Sequence, residues 1–157
     1  MKPKEPSPKS LSGLELMEQN RFEEALQLFR EEIQNNSSYL AYYGFATSLY
    51  TIHQSRGTTT KEVLEEALKN YELSLDENPD YPSANMLIGI LYKHKIGFIV
   101  QQEENAYFLP DLRKQILELI NKSKRHLIKA ASLDSKLKAT VAEELAKAEE
   151  LKFFLSP

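Results

Sequence analysis

Apolar side chains recur at helical spacing along nearly the whole chain, and no segment alternates apolar and polar residues long enough to form a strand. Short clusters of Asn, Ser, Gly and Pro interrupt this pattern and are typical of turns. The predicted helix boundaries lie at Asn20, Asn35, Ser38, His53, Thr59, Asn78, Pro82, Pro110 and Leu133, with a last helix capped at Asp134 or Ser135. The sequence therefore predicts an all-α protein whose short turns join antiparallel helices.

Two of these helix starts are predicted from the capping box, in which Ser, Thr, Asp or Asn precedes Glu or Gln by three residues. Asn20 with Glu23 fits this pattern, and Thr59 with Glu62 fits it too. Before the first helix, residues 1–9 are rich in proline and lysine and show no hydrophobic periodicity. We expect these nine residues to form a flexible leader and residues 10–157 to form a single domain.

Composition excludes several classes of function. The 157 residues include no cysteine, which removes thiol catalysis, iron–sulfur clusters and zinc ribbons. A formal net charge of −3 argues against a general coat for nucleic acid, because phosphate binding needs clustered cations. No apolar run approaches the roughly 20 residues that span a bilayer. We expect a soluble, cytoplasmic protein without a transmembrane segment.

Charge is distributed unevenly along the chain. Residues 11–36 hold two cations and six anions, whereas residues 111–138 hold eight cations and three anions. Lys122, Arg125 and Lys129 share one face of the helix that follows Pro110, and Lys114 lies two turns earlier on a similar face. This face is suited to phosphate, an acidic lipid or an acidic protein. The alternative is a solvated face that balances the acidic helices.

The helices fall into pairs with similar internal spacing. The second pair matches W-x2-L-G-x2-Y followed by A-x3-F and a closing proline, through Tyr42, Phe45, Ala46, Leu49, Ala67, Tyr71 and Pro79. The first pair matches through Gly13, Leu16, Ala25 and Phe29. The third pair matches through Asn85, Ile88, Gly89, Tyr92, Ser123 and Leu127. This pattern resembles the tetratricopeptide repeat (TPR) family, although the second and third pairs carry insertions between their helices.

The resemblance implies a TPR-like right-handed solenoid of about three helical hairpins, at residues 9–37, 39–79 and 82–135, closed by a capping helix at 135–155. In this family the first helix of each pair lines a concave groove. The corresponding positions here are Leu14, Met17, Tyr43, Thr47, Tyr50, Met86, Ile90 and Lys93, together with Ser10. Tyr and Met side chains are suited to gripping an amphipathic helix or an extended peptide. The alternative is that the insert or the terminal helix covers these side chains.

We therefore predict a non-catalytic adaptor that binds a helical or extended segment of another protein. The first alternative is a self-associating scaffold that hides Phe153, Phe154 and Leu155. Attachment to nucleic acid or an anionic membrane through the basic helix 113–129 is less favoured, because aromatic side chains that stack on bases are missing from residues 115–132. The three histidines lack metal-ligand spacing, so we expect no catalytic site, cofactor or metal.

The insert between Lys93 and Pro110 is too apolar for a solvated loop. We expect part of it to be helical, either as an extension of the helix that holds Tyr92 or as a short helix around residues 101–108. Its apolar side, including Phe98 and Phe108, is expected to pack as a movable lid over the groove or to form a partner surface.

Overall fold

The computed structural model describes residues 2–3, 5–153 and 155. Within these residues there are seven α-helices and no strand, as the sequence predicts. The helices are α1 (Pro8–Glu18), α2 (Phe22–Asn36), α3 (Tyr39–Arg56), α4 (Lys61–Glu77), α5 (Pro82–Gln102), α6 (Pro110–Leu133) and α7 (Lys138–Phe153), with a 3₁₀ turn at Ser135–Leu137 before α7. The chain divides into two compact units, Met1–Pro79 and Asp80–Pro157.

The first unit consists of two helical hairpins, α1–α2 and α3–α4, in which α3 also packs against both α1 and α2. Phe29 is fully buried at its centre, in a cluster with Ala25, Ala41, Phe45 and Leu49. The Phe29 ring lies between Gly13 of α1 and Gly44 of α3. A Cβ atom on Gly13 would lie 2.5 Å from Phe29 Cζ, and one on Gly44 would lie closer still. Two helices thus approach the ring from opposite sides only because neither carries a side chain there.

The second unit consists of the hairpin α5–α6 with α7 packed mainly on α6 and in part on α5. Leu127, Ala130 and Val141 form its buried cluster, and side chains of α5 and α7 pack around them. Gly89 of α5 lies close to α6, where Ser123 donates a hydrogen bond to the Gly89 carbonyl at 2.6 Å. Gly89 and Ser123, both small residues at repeat positions, therefore mark a close contact between the paired helices α5 and α6.

The ends of most helices follow their local signals. Pro82 and Pro110 occupy the first turns of α5 and α6, and Gly57 ends α3 in the left-handed conformation with a φ of 64°. Asp134 caps the turn before α7 by accepting a hydrogen bond from the Lys136 amide. Proline at the start of a helix and glycine at its end have strong backbone preferences, so the positions of these helix ends are well determined by the residues themselves.

Two capping boxes and the leader differ from expectation. Asn20 does not cap α2: its φ of 59° places it after the end of α1, where the Asn20 and Arg21 amides donate to the Met17 and Leu16 carbonyls at 2.9 Å. Thr60, rather than Thr59, caps α4. Helix α1 begins at Pro8, two residues inside the predicted leader, because the Ser7 hydroxyl accepts a hydrogen bond from the Ser10 amide.

The predicted helical extension of the insert is observed, since α5 continues to Gln102. Ile96 and Ala106 are buried within the second unit, whereas the Phe108 side chain is 83% exposed. Phe108 therefore does not pack as a lid, and the alternative that it forms a partner surface stays a prediction. Residues 103–109 form turns rather than a second helix, because Glu103 ends α5 and Pro110 starts α6.

Candidate functional site

The predicted stripe on α3 consists of half-buried side chains held by contacts within the first unit. The Thr47 hydroxyl lies 2.8 Å from the Tyr71 hydroxyl, and the Tyr43 ring centroid lies 6.0 Å from that of Tyr71. The Tyr50 hydroxyl accepts a hydrogen bond from Gln54 at 3.0 Å, and burial raises the pKa of Tyr50. These contacts fix the side chains of the stripe before any partner arrives.

The predicted stripe on α1 lies in the same unit as the α3 stripe, and helix α1 packs against helix α3. Leu14 and Met17 are half-buried and pack against the cluster around Phe29. Ser10, the first residue of that stripe, is fully buried and does not contribute to the surface. Together Leu14, Met17 and the α3 stripe form what we call the α1–α3 face.

The predicted stripe on α5 is covered in part by α7. Met86 and Ile90 pack against the cluster of α6 and α7 side chains around Leu127. The Lys93 side chain is only 7% exposed and forms an ion pair with Glu144 of α7, whose side chain is 13% exposed. Lys93 is therefore largely covered by α7, and together with His94 and Glu144 it lines a depression of about 310 Å³.

The four cations predicted to face an anion have different surroundings in the second unit. Lys129 forms an ion pair with Asp80 at 3.4 Å, and Lys122 Nζ lies 5.9 Å above the centre of the Tyr92 ring. Lys122 and Arg125 line a surface depression of about 520 Å³ on α6. Lys114 is exposed and lies outside that depression. Of the four predicted cations, Lys122 and Arg125 line this depression, and Lys129 lies close enough to act on His126 together with them.

Sequence reasoning missed the polar network beside this face. His126 Nδ1 lies 2.9 Å from Asn85 Oδ1, and the buried Asn85 amide donates to the Tyr81 carbonyl at 3.0 Å. Because Asn85 Nδ2 is the donor to Tyr81, its Oδ1 accepts from His126, which places the proton of neutral His126 on Nδ1. The His126 ring also stacks at a tilt on Tyr92, with centroids 5.9 Å apart.

Both half-buried histidines of the second unit have lowered pKa values. Burial is the largest cause for His126, and the positive charges of Arg125, Lys129 and Lys122 act in the same direction. Burial also lowers the pKa of His94, assisted by Lys93 and Lys147. Neutral imidazole is therefore the favoured form at both positions in the folded protein.

We expect the free energy of unfolding to fall as the pH drops below about 6.5, the ordinary pKa of histidine. The unfolded chain then takes up protons at His94 and His126 before the folded protein does, so acid favours unfolding. Urea unfolding at pH 7.5, 6.5 and 5.5 measures this. The double variant His94→Asn plus His126→Asn should have a flatter pH dependence over this range. An unchanged slope in that variant would show that other groups control it.

Within the part of the chain that the structure describes, no group of three or more His, Cys, Asp or Glu side chains is arranged to hold a metal ion. Among the same residues, no helix is long and apolar enough to cross a membrane.

No protein-family model and no curated protein matches the sequence. Among solved structures, a monomeric mutant of IFIT1 with Gppp-AAAA matches with a TM-score of 0.60 and 20% sequence identity, over 95% of this chain and 33% of that chain. A second monomeric IFIT1 mutant, with m7Gppp-AAAA, gives the same values. A structure of MamA from Desulfovibrio magneticus RS-1 matches with a TM-score of 0.42 and 17% identity, over 96% of this chain and 99% of that chain.

At these identities the likeness concerns the fold. IFIT1 is a helical-repeat protein of the TPR type, and this chain spans 33% of the length of the matched IFIT1 chain. The chain thus has the all-α, TPR-like fold of helical hairpins that the sequence predicts.

Proposed function

We propose that this protein is a non-catalytic adaptor that binds a helical or extended segment of another protein on the α1–α3 face. The main support for this proposal is that two adjacent helices of one unit carry side chains that remain partly accessible. These side chains are Leu14, Met17, Tyr43, Thr47 and Tyr50. TPR-like folds are suited to such binding, because stacked hairpins present side chains from successive helices on one surface.

The chemistry of the face supports a peptide ligand. Leu14 and Met17 supply apolar area, while each tyrosine combines a large ring with a polar tip. Tyr71 supports Tyr43 and Thr47 from α4, and Gln54 supports Tyr50 on α3 itself. A surface whose rotamers are already fixed loses little entropy when it binds, so a short segment can bind with useful affinity.

The histidines support the non-catalytic part of the proposal. His53 Nδ1 lies 2.9 Å from the Thr58 hydroxyl in the turn after α3, and His126 is held by the Asn85 amide. Each of these contacts stabilises a helix end or a helix pair. A general base in catalysis is instead set against a nucleophile or a substrate proton.

The proposal is tested by affinity capture from the source cell with quantification of the recovered proteins. We expect Tyr50→Ala to reduce recovery of the main partner by more than tenfold, since a tyrosine at the centre of an interface contributes about 2 kcal/mol or more. Phe108→Ala is the matched control, because it also removes an exposed aromatic side chain but lies in the second unit. Circular dichroism confirms that both variants fold.

Equal recovery of the same partners by wild type and Tyr50→Ala would place binding elsewhere. Recovery of the protein itself as the main species would favour the self-associating scaffold. For that alternative, Phe153 is 78% exposed but Leu155 is buried, and Phe154 lies outside the described residues. The Leu155 carbonyl accepts a hydrogen bond from Arg113.

A further inference from the structure

One face of α6 forms an open depression, which plays no part in the binding proposed for the α1–α3 face. Its volume is about 520 Å³. It is lined by Glu118, Asn121, Lys122, Lys124, Arg125 and Ile128. These residues extend over ten positions, which corresponds to about 15 Å along the helix axis. A ligand of that length is a peptide segment rather than a small metabolite.

The cations of this helix divide into two groups. Lys124 forms an ion pair with Glu149 of α7, and Lys129 forms one with Asp80, so both charges are balanced within the second unit. Within the described residues, Lys122 and Arg125 form no ion pair with an acid. Both side chains line the depression, one turn apart. Glu118 also lines the depression and carries one negative charge, so these three side chains leave a net charge of +1 at this place.

His126 lies beside the same cations, so their positive charges also act on its imidazole. Arg125, Lys129 and Lys122 each lower the pKa of this imidazole, in addition to the effect of burial. An anion bound in the depression would offset these charges and raise the pKa of His126. The pKa of His126 can therefore be used to measure anion binding in the depression.

An apolar side chain lies next to the two unbalanced cations. Ile128 is one turn beyond Arg125, lines the depression and is 55% exposed. A nucleic-acid backbone has no apolar group for this position, and α6 carries no Phe, Tyr or Trp between residues 115 and 132 for stacking on bases. Two cations followed by an apolar contact instead match a helix with two carboxylates and one aliphatic side chain.

We propose that the depression on α6 is a second binding site, which takes an acidic amphipathic segment of a partner protein. Two carboxylates of that segment pair with Lys122 and Arg125, and an aliphatic side chain one turn further packs on Ile128. The site lies in the second unit and does not depend on the α1–α3 face, so either binding activity can be lost without the other.

The test uses a fluorescein-labelled helical peptide of about 14 residues, with two glutamates one turn apart and a leucine one turn further. At 0.15 M salt, where the Debye length is about 8 Å, we expect Arg125→Glu to weaken its affinity by about tenfold or more, because an attractive pair becomes a repulsive one. Ile128→Ser should weaken binding by about fivefold without changing the charge. Lys114→Glu makes the same charge change on the same helix outside the depression, so its affinity should stay within about twofold.

Three further readouts decide the proposal. Replacing both glutamates of the peptide by glutamine should abolish binding, and saturation with the original peptide should raise the pKa of His126 in an NMR titration. Equal weakening by Lys114→Glu and Arg125→Glu would overturn the proposal, because attraction would then be spread over the helix. Arg125-dependent binding of a single-stranded RNA or of phosphatidylserine vesicles, with no binding of the peptide, would also overturn it.

Discussion

Gly44→Ala is expected to destabilise the protein by about 2 kcal/mol, although alanine is the better helix former. The new methyl group would overlap the Phe29 ring, which is fully buried and confined on its other side by Gly13. Overpacking of this kind costs typically 1–3 kcal/mol, and the confined ring places this site at the upper end. The gain in helix propensity of about 1 kcal/mol offsets only part of that cost.

The matched control is Gly97→Ala in α5. A Cβ atom on Gly97 would meet no atom within 4 Å, so only the propensity gain of about 1 kcal/mol remains. We therefore expect the same substitution to raise the urea midpoint at one position and to lower it at the other. Urea unfolding followed by far-ultraviolet circular dichroism measures both.

A smaller side chain at position 29 tests whether the Phe29 ring causes the loss of stability in Gly44→Ala. In the background of Phe29→Leu, the additional loss from Gly44→Ala should shrink, because the branched side chain leaves room near Gly44. An equal loss in both backgrounds would show that the Phe29 ring is not what excludes a side chain at Gly44.

The helices and their pairing could be predicted because their signals are local. Pro82, Pro110 and Gly57 each have backbone preferences that act at the residue itself, and α5, α6 and α3 begin or end there. The small and aromatic repeat positions likewise report packing between adjacent helices, as the contact between Gly13 and Phe29 demonstrates. The fold class therefore follows from spacing alone.

Asn20 shows where a local signal is ambiguous. Asparagine is favoured both as the cap before a helix and as the left-handed residue after one. The spacing to Glu23 suggested the cap, but the chain must reverse between α1 and α2 within three residues, and the left-handed conformation at Asn20 achieves this turn. Arg21 then pairs with Glu24 at the start of α2, with Nε 2.8 Å from Oε1.

The candidate site was harder to predict, because it depends on which helix covers which face. Periodicity places Lys93 on the same stripe as Met86 and Ile90, yet its partner Glu144 lies 51 residues further along the chain. Glu144 belongs to a helix whose acidic residues look like an ordinary solvated face. No local sequence pattern distinguishes Glu144, whose side chain is mostly buried, from the exposed glutamates of α7.

The second large effect concerns the buried ion pair of Lys93 and Glu144. Replacing Glu144 is expected to lower the free energy of unfolding much more than replacing Lys93. Glu144→Leu is expected to cost about 3–5 kcal/mol at pH 7, because Lys93 is left buried without an acid. Lys93→Met should cost much less, since Glu144 retains a second ion pair with Lys147 at 2.9 Å. The double variant replaces the pair by apolar side chains and should lie close to wild type.

The pH dependence separates a charge effect from a packing effect. Burial, reinforced by Lys147, lowers the pKa of Lys93 to about 8, below the value of about 10.5 for an exposed lysine. Between these two values the unfolded chain binds the proton and the folded protein does not, so stability increases as the pH rises. In Glu144→Leu, Lys93 loses its acid and must be neutral to stay buried, so the deficit relative to wild type should shrink from pH 7 to pH 10. Urea midpoints of the four proteins at both pH values measure this, and a deficit that stays constant would assign the loss to packing of α7.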